Sequence, residues 1–428
     1  MPTFQNWSGD VQATPQKIAY PSTENELIAL VKQAQSDGLH IRLVGHGHSF
    51  MPLVHTSDML ISLDKYQGIV EADVANCQAV VKAGTQIGTM GKMLYDYGMG
   101  LPNQGDIDVQ SIAGAVSTGT HGSGVTFGTM ATFVVEMRLI TASGEVLACS
   151  ETKNREIFKA AQVSMGMIGI ISTLRLQLIP AYKLHYYTDK MTISEGLSRL
   201  EEAKKNRNFE FYFFPYTEII QRKIMNTTEE SADNYGISNY LSDVVLENWV
   251  FQAFSSLSKY IPPLTIPIAK LIGPAASSAS RKCWSHEVYP TPRLVRFREM
   301  EYNIPAIHFE EAILAIKKVI EERQFRVHFP IECRFVKTDD MWLSPAFGRE
   351  SAYIAVHQYK GMESKAYFDA VEAICQSYGG RPHWGKINTC DAAYLAKNYP
   401  HWEDFLRIRR KLDPKGMFLN AYLSEIFV

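Results

Sequence analysis

Two short loops concentrate residues that expose backbone to a ligand: Val44-Gly-His-Gly-His-Ser-Phe50 and Ser117-Thr-Gly-Thr-His-Gly-Ser-Gly124. Glycine lets main-chain N–H groups approach closely, and Ser and Thr hydroxyls add donors, so both loops suit a pyrophosphate. Turns use the same residues, so glycine content alone does not decide the matter. The familiar phosphate motifs are absent. There is no G-x-x-x-x-G-K-[ST], and Gly122-Ser-Gly124 continues to Gly128 outside a strand–helix unit. Nor is there a G-x-S-x-G nucleophile elbow. His46, His48, His55 and His121 lack the i, i+4 spacing of zinc enzymes, and no carboxylate accompanies them in the loops. Capping or hydrogen bonding is the expected role of such histidines.

A second chemical group lies in the C-terminal half. Glu332 and Arg334 are two apart, so on a strand both side chains point to one face; His357 and Tyr359 do the same. Arg381-Pro-His-Trp-Gly-Lys386 then sets a cation beside an aromatic. Glu, Arg, His and Lys from neighbouring strands would form a polar pocket able to hold a hydroxylated substrate and stabilise an oxyanion. For Glu332–Arg334 taken alone, a surface salt bridge is the simpler reading.

The elements that must position these groups follow from patterning. Thr23 and Glu26 have capping-box spacing, and Leu27, Ile28, Leu30 and Val31 begin a helix that Gly38 ends. Strands are expected at 41–44, 59–63, 79–83, 133–141 and 168–179, with an amphipathic helix from Ile87 to Tyr97. From about Ala181 the texture changes. Tyr and Phe become dense (Phe209, Phe211, Tyr212, Phe213, Phe214, Tyr216), and the polar stretch 226–235 reads as an exposed loop. A strand at 296–305, a helix at 306–322, strands at 327–337 and 352–359 and a helix at 364–378 complete an antiparallel sheet backed by helices.

Composition narrows the function classes. The 428 residues carry 43 basic and 45 acidic side chains, a formal charge of −2, with no basic footprint for nucleic acid. Charged residues at 21% and hydrophobic ones at 46% are those of a folded chain with well-buried cores. The six cysteines are scattered without a C-x-x-C pair, which fits free thiols in a reducing compartment. The start of the chain has no signal-peptide pattern, and the passage 261–269 is too short and proline-rich to span a bilayer. Leu246, Trp249, Val250, Ala253, Phe254 and Leu257 recur at helical spacing. The preferred reading is a helix packed on its own domain by that face; the alternative is an interfacial membrane helix.

Seven segments in order resemble the vanillyl-alcohol-oxidase flavoprotein superfamily, and within it the sugar-lactone and alditol oxidase branch. They are Val44 to Phe50, Leu101-Pro-Asn-Gln-Gly-Asp-Ile-Asp108, Ser117 to Gly124, Glu332-Cys-Arg334, Trp342-Leu-Ser-Pro345, Pro382-His-Trp-Gly-Lys386, and Leu412-Asp-Pro414 to Asn420-Ala421. The resemblance implies an α+β fold: a two-part FAD-binding domain of the vanillyl-alcohol-oxidase type (1–180, rejoined by 398–428) and an α+β cap over the substrate (181–397). FAD is the implied cofactor, attached covalently through His48. Its implied contacts are Val44, Gly45, His46, Gly47, His48, Ser49 and Phe50, then Gly105, Ser117, Thr118, Gly119, His121, Gly122, Ser123 and Gly124, with Ile170 and Asn420.

The implied catalytic residues are Glu332, Arg334, His357, Lys386 and Asp106; no metal is implied. A substrate carbinol would give hydride to the flavin, with Arg334 and Lys386 stabilising oxyanion charge and Glu332 orienting hydroxyls. Alditol oxidases have Ser where this chain has Asp106 and Thr where it has His357, so both positions move it toward the lactone oxidoreductases. Gly105 stands at the family's gatekeeper position, where a small residue leaves room for O2. The expected substrate is an aldono-1,4-lactone giving an ascorbate-type ene-diol, and the acceptor is O2 or another electron carrier. The alternatives are an open-chain polyol as substrate, a non-catalytic flavin-binding or scaffold protein and, last, a histidine-metal hydrolase. The expected location is cytoplasmic, with peripheral membrane contact through 246–257 as the alternative to the packed helix.

Overall fold

The computed structural model describes residues 2–233, 247–291 and 294–428. After a short antiparallel pair, Phe4–Gln5 with Gln12–Ala13, the N-terminal region forms a small parallel sheet of β1 (Lys17–Ala19), β2 (Ile41–Val44) and β3 (Met59–Ser62), ordered β1-β3-β2. Helix α1 (Glu24–Asp37) makes the crossover from β1 to β2. Its start is the capping box read from sequence: Thr23 accepts from the Glu26 N–H at 3.2 Å, while the Glu26 carboxylate reaches the Ser22 N–H at 2.6 Å. Helix α1 ends at Gly38 and buries Leu27, Val31 and Ala34.

Next comes a five-stranded antiparallel sheet of β4 (Ile69–Asp73), β5 (Gln78–Lys82), β6 (Val134–Ile140), β7 (Val146–Ser150) and β8 (Ile170–Gln177), ordered β7-β6-β8-β5-β4. Helices α2 (Ile87–Asp96), α3 (Ile112–Ser117) and α4 (Arg155–Gln162) accompany it.

The region expected as the cap is built on an eight-stranded antiparallel sheet, called the cap sheet below. Its strands are β9 (Lys183–Thr192), β10 (Asn208–Phe213), β11 (Ile219–Thr228), β12 (Ser280–Trp284), β13 (Phe297–Pro305), β14 (Ile331–Val336), β15 (Ser351–Tyr359) and β16 (Arg381–Pro382). Their order is β12-β9-β11-β10-β14-β15-β13-β16. Because β11 runs to Thr228, residues 226–228 of the expected loop are strand; 229–233 are exposed, and 234–235 lie outside the described residues.

The alternation of side chains along a strand divides this sheet. One face carries Phe209, Phe211, Phe213, Ile331, Cys333, Phe335, Ile354 and Val356, all buried in the main core. Two of the four longest helices of this region, α5 (Glu247–Tyr260), α6 (Thr265–Ala275), α7 (Phe309–Arg323) and α8 (Lys365–Ser377), join that core: α7 through Phe309 and Ile313, α8 through Phe368 and Val371. Phe309 meets Phe211 and Phe335 edge-on, at ring distances of 5.7 and 4.8 Å. The opposite face carries Lys223, Glu210, Tyr212, Glu332, Arg334, His357, Glu299 and Glu301, as the strand registers require.

The C-terminal segment, with α9 (Trp402–Leu412) and α10 (Ala421–Phe427), returns to the N-terminal region. Ile41 N–H donates to Met417 O at 2.8 Å. The buried Arg42 guanidinium donates to the carbonyls of Leu53, Met165 and Phe418, tying three segments together beside β2. Burial lowers its pKa to about 10, with Asp413 opposing.

Helix α5 corrects one expectation. Its apolar face points outward, with Trp249 69% and Val250 44% exposed; Leu246 lies outside the described residues. The inner face is instead Phe251, Ser255 and Ser258, which at 100° per residue lie together, opposite Trp249 and Leu257. The layer below dictates this choice. Ser255 Oγ sits 2.8 Å from His328 Nε2, and Phe251 meets Phe329 edge-on at 4.7 Å.

Candidate active site

Strand β2 ends at Val44, and the loop it feeds forms one wall of a groove with about 940 Å³ of atom-free space. Val44 to Ser49 face Ser117 and Thr118 across it. The walls touch: a Cβ at Gly45 would lie 2.0 Å from Ser111 Oγ, so only glycine fits there. His46 Nδ1 is buried with no partner among the described residues, and His46 Nε2 lies 3.7 Å from Asp64. A narrow, glycine-walled groove with an unsatisfied buried nitrogen fits an FAD pyrophosphate and its neighbouring rings.

His48 stacks on Trp7 at 5.7 Å. Burial, helped by the charges of Lys386 and His46, lowers its pKa to about 4. The imidazole is therefore neutral at pH 7 and keeps a nitrogen lone pair.

Two main-chain bonds bring the loops to the cap. Phe50 N–H donates to Gly385 O at 2.7 Å, and Gly124 N–H to Phe335 O at 2.8 Å. His121 is buried with Nδ1 2.8 Å from Gly122 O and Nε2 3.2 Å from Glu301 Oε1. Tertiary structure thus supplies the loop histidines with the carboxylates that the local sequence lacks, Glu301 for His121 and Asp64 for His46. Burial alone would raise the Glu301 pKa; His121 and His383 outweigh it and hold the carboxyl low.

The ionisable face of the cap sheet looks toward these loops in two groups. In the first, Lys223 Nζ lies 2.7 Å from Asp106 Oδ1 and 2.8 Å from Glu210 Oε1. Arg334 Nε lies 2.7 Å from Glu210 Oε2, and its NH2 pairs with Glu332 and approaches Asp106 Oδ2 at 3.6 Å. Tyr212 donates to Glu332 at 3.1 Å. Three carboxylates within 4.8 Å of one another are thus interleaved with two cations. Burial would depress Lys223; Asp106 and Glu210 outweigh it and raise its pKa. Arg334 is raised in the same way by Glu332, Glu210 and Asp106. In the Glu332–Arg334 pair Glu332 is buried and Arg334 largely so, which is not a surface bridge.

In the second group, Lys386 pairs with Glu299 Oε2 and lies 5.3 Å over the Phe50 ring. His357 Nε2 lies 3.6 Å from Glu299 Oε1. Burial would raise the Glu299 carboxyl, but Lys386 and His357 prevail and lower it. The five expected catalytic residues thus fall in two adjoining groups: Asp106, Glu332 and Arg334 in one, His357 and Lys386 in the other.

Other expected contacts sit differently. Ile170 is buried in β8, paired with Ile140, and its neighbours Gly169 and Ile171 line the groove instead. Asn420 spends its side-chain N–H groups on Pro52 O and His55 O and caps α10 through Leu423 N–H, bracing the loop from behind. Gly105 lies so close to His121 that a Cβ would stand 2.9 Å from its carbonyl oxygen, so packing alone requires glycine there.

Four residues escaped the sequence reading: Lys223, Glu210, Glu299 and Glu301. A signal existed in charges alternating with apolar residues, as in Phe209-Glu-Phe-Tyr-Phe213 and Met300-Glu-Tyr302 after Glu299.

Comparison with known proteins agrees with this geometry. The FAD binding domain family matches residues 15–150, and the D-arabinono-1,4-lactone oxidase family matches residues 174–426. The chain is 37% identical over 426 residues to L-gulono-1,4-lactone dehydrogenase of Mycobacterium tuberculosis, covering 99% of both chains. It is 32% identical over 439 residues to L-gulonolactone oxidase of Bos taurus, covering 99% of this chain and 98% of that one. Alditol oxidase of a Streptomyces species is more distant, at 26% over 446 residues and 98% of each chain. Among solved structures, a solvent-stable cholesterol oxidase shares the fold, with a TM-score of 0.86 at 17% identity over 100% of this chain and 97% of the other. The chain belongs to the D-arabinono-1,4-lactone oxidase family, a sugar-lactone branch of the vanillyl-alcohol-oxidase-type FAD oxidoreductases.

Proposed function

We propose that the protein oxidises a carbinol of a sugar-derived aldono-1,4-lactone to an ascorbate-type ene-diol product, passing the electrons through FAD to O2, with H2O2 formed, or to another acceptor. The observation that carries this reading is the ion-paired face of the cap sheet, where Arg334 pairs with Glu332 while Lys386 and His357 meet at Glu299. Bound FAD would supply the hydride acceptor. Arg334 and Lys386, each in an ion pair, stabilise negative charge on the substrate oxygen. Glu332, fixed by Arg334 and Tyr212, orients neighbouring hydroxyls. His48, neutral and half-buried, has the lone pair that a covalent flavin bond needs.

An open-chain polyol is the second reading of the same chemistry. The buried Asp106–Lys223 pair disfavours it by putting charge where the alditol oxidases have a serine. A scaffold role is disfavoured by the intact Glu332, Arg334, Lys386 and His48. The division at about residues 180 and 398 belongs to the same proposal. So does a cytoplasmic setting with all six thiols unpaired.

No helix among the described residues is long and apolar enough to cross a membrane. Peripheral contact is supported by α5 and the chain after it, which expose Trp249, Val250, Leu257, Tyr260, Ile261 and Leu271. No Asp or Glu occurs from Asn248 to His286, whereas Lys259 and Lys270 do.

The test is anaerobic bleaching of the purified yellow protein by L-gulono-, L-galactono- and D-arabinono-1,4-lactones, against xylitol. Bleaching by a lactone at lower concentration than by xylitol is expected. The reverse order would install the polyol reading, and a protein colourless after incubation with FAD would overturn both.

A further inference from the structure

Oxidising a carbinol removes a hydride from carbon and a proton from oxygen, and the residues described so far leave that proton without an acceptor. Arg334, Lys386 and Lys223 are cations held by carboxylates. Among the carboxylates, Asp106 and Glu210 share Lys223, Glu332 pairs with Arg334, and Glu299 pairs with Lys386. A base tied into a salt bridge loses that bridge when it accepts a proton.

His357 differs. It is a histidine on the ionisable face of β15, with 11% of its side-chain surface still open, and its charged neighbour Glu299 stands at 3.6 Å. Phe297 meets its ring edge-on at 4.9 Å and Phe329 stacks at 6.2 Å, fixing the ring plane. Glu299 is directly opposite His357 in the β13–β15 register, so the backbone sets their pairing.

We propose that His357 and Glu299 form the acid–base pair of the reaction: the O–H bond of the substrate breaks toward His357 Nδ1, and Glu299 stabilises the imidazolium through Nε2–H. The two electrons of the C–H bond leave with the hydride to FAD; the proton stays on His357 until solvent takes it. Glu299 is the positioning residue here, since it acts through His357. It also holds Lys386, so one carboxylate serves both neighbours, Lys386 through Oε2 and His357 through Oε1. This inference rests on the proposed lactone chemistry and adds the residue that sets its pH response.

The charged groups sharing this face with His357 are Glu299 and Glu301 on β13, Glu332 and Arg334 on β14, and His383 and Lys386 after β16. Their effects differ in sign, which makes the proposal testable. Glu299→Gln removes the anion and is expected to shift the acidic limb of the bleaching rate about one pH unit lower, with a rate loss of about tenfold or more. Glu299→Asp restores part of the limb. Lys386→Met removes a cation and moves the limb higher, whatever it costs in rate. His357→Gln abolishes the limb, with a loss of about 100-fold or more, and adding Glu299→Gln to it costs little further. NMR titration of the His357 ring in each holoprotein provides a readout independent of turnover, falling in Glu299→Gln and rising in Lys386→Met.

An unmoved limb in Glu299→Gln, or fully additive losses in the double variant, overturns the pair. If the unmodified protein is bleached by no lactone, it is the proposed function that fails.

Discussion

Lys223 Nζ lies 2.7 Å from Asp106 Oδ1, so a cap strand and the loop after Leu101 share one buried ion pair. Removing one partner of such a pair leaves an uncompensated charge in a dry site and costs about 3–5 kcal/mol. Lys223→Met should therefore destabilise strongly, because it takes the nearest cation from Asp106 and leaves Glu210 to Arg334 alone. Adding Asp106→Asn should recover part of the loss. Thermal denaturation of the two variants, with FAD content checked, measures the difference.

Asp106 is also expected to set substrate class. Asp106→Ser should raise the xylitol-to-lactone ratio of kcat/KM, chiefly by lowering lactone turnover, while Lys223 keeps Glu210 as its partner. An unchanged ratio would detach Asp106 from specificity.

Gly105→Ala puts a Cβ 2.9 Å from the His121 carbonyl, so the backbone of one loop must move. Stopped-flow kinetics separates the consequences. A gate for O2 predicts slower reoxidation with bleaching unchanged. A packing role predicts both half-reactions slowed together, because His121 and Asp106 are displaced at once.

His328 is fully buried, and desolvation lowers its pKa to about 4, against an ordinary value of 6.5. The unfolded chain binds this proton more readily, so stability falls as pH drops from about 6.5 toward about 4. Near pH 5 the contribution is on the order of 2 kcal/mol. His328→Gln should flatten the fall of melting temperature between pH 7 and 5, even if its starting value is lower.

The outward face of α5 should bind vesicles containing anionic lipid in a flotation assay, less so at high salt. Trp249→Ala with Leu257→Ala should abolish it. A native protein that stays at the bottom of the gradient but dimerises with concentration would assign this face to a second copy of the chain.

Most of the architecture was legible because it is local. Alternation and caps placed α1, β2, β13 and β15 within a residue or two, and glycine loops marked the groove. What escaped was pairing across strands. Glu210 looks like any surface carboxylate in a sequence; only the registers of β10 with β11 and β14 set it between Lys223 and Arg334. Asn420 shows a different case, its side-chain N–H groups spent on the carbonyls of Pro52 and His55. A motif residue can be retained to brace a loop rather than to touch a ligand. The face of α5 was misjudged because amphipathicity shows which side is apolar, not whether anything covers it.

The two-sided cap sheet has a consequence for how such enzymes diversify. Strands β10, β14 and β15 carry the requirements of folding on one set of alternate positions and those of recognition on the other. Variation confined to residues such as 212 and 357, outside the buried ion pairs of Lys223 and Arg334, would alter the chemical surface while leaving Phe211, Cys333 and Val356 against their helices. A library restricted to that register should yield folded proteins far more often than one of equal size spread along the strands, and substrate preference could drift without any reworking of the interior.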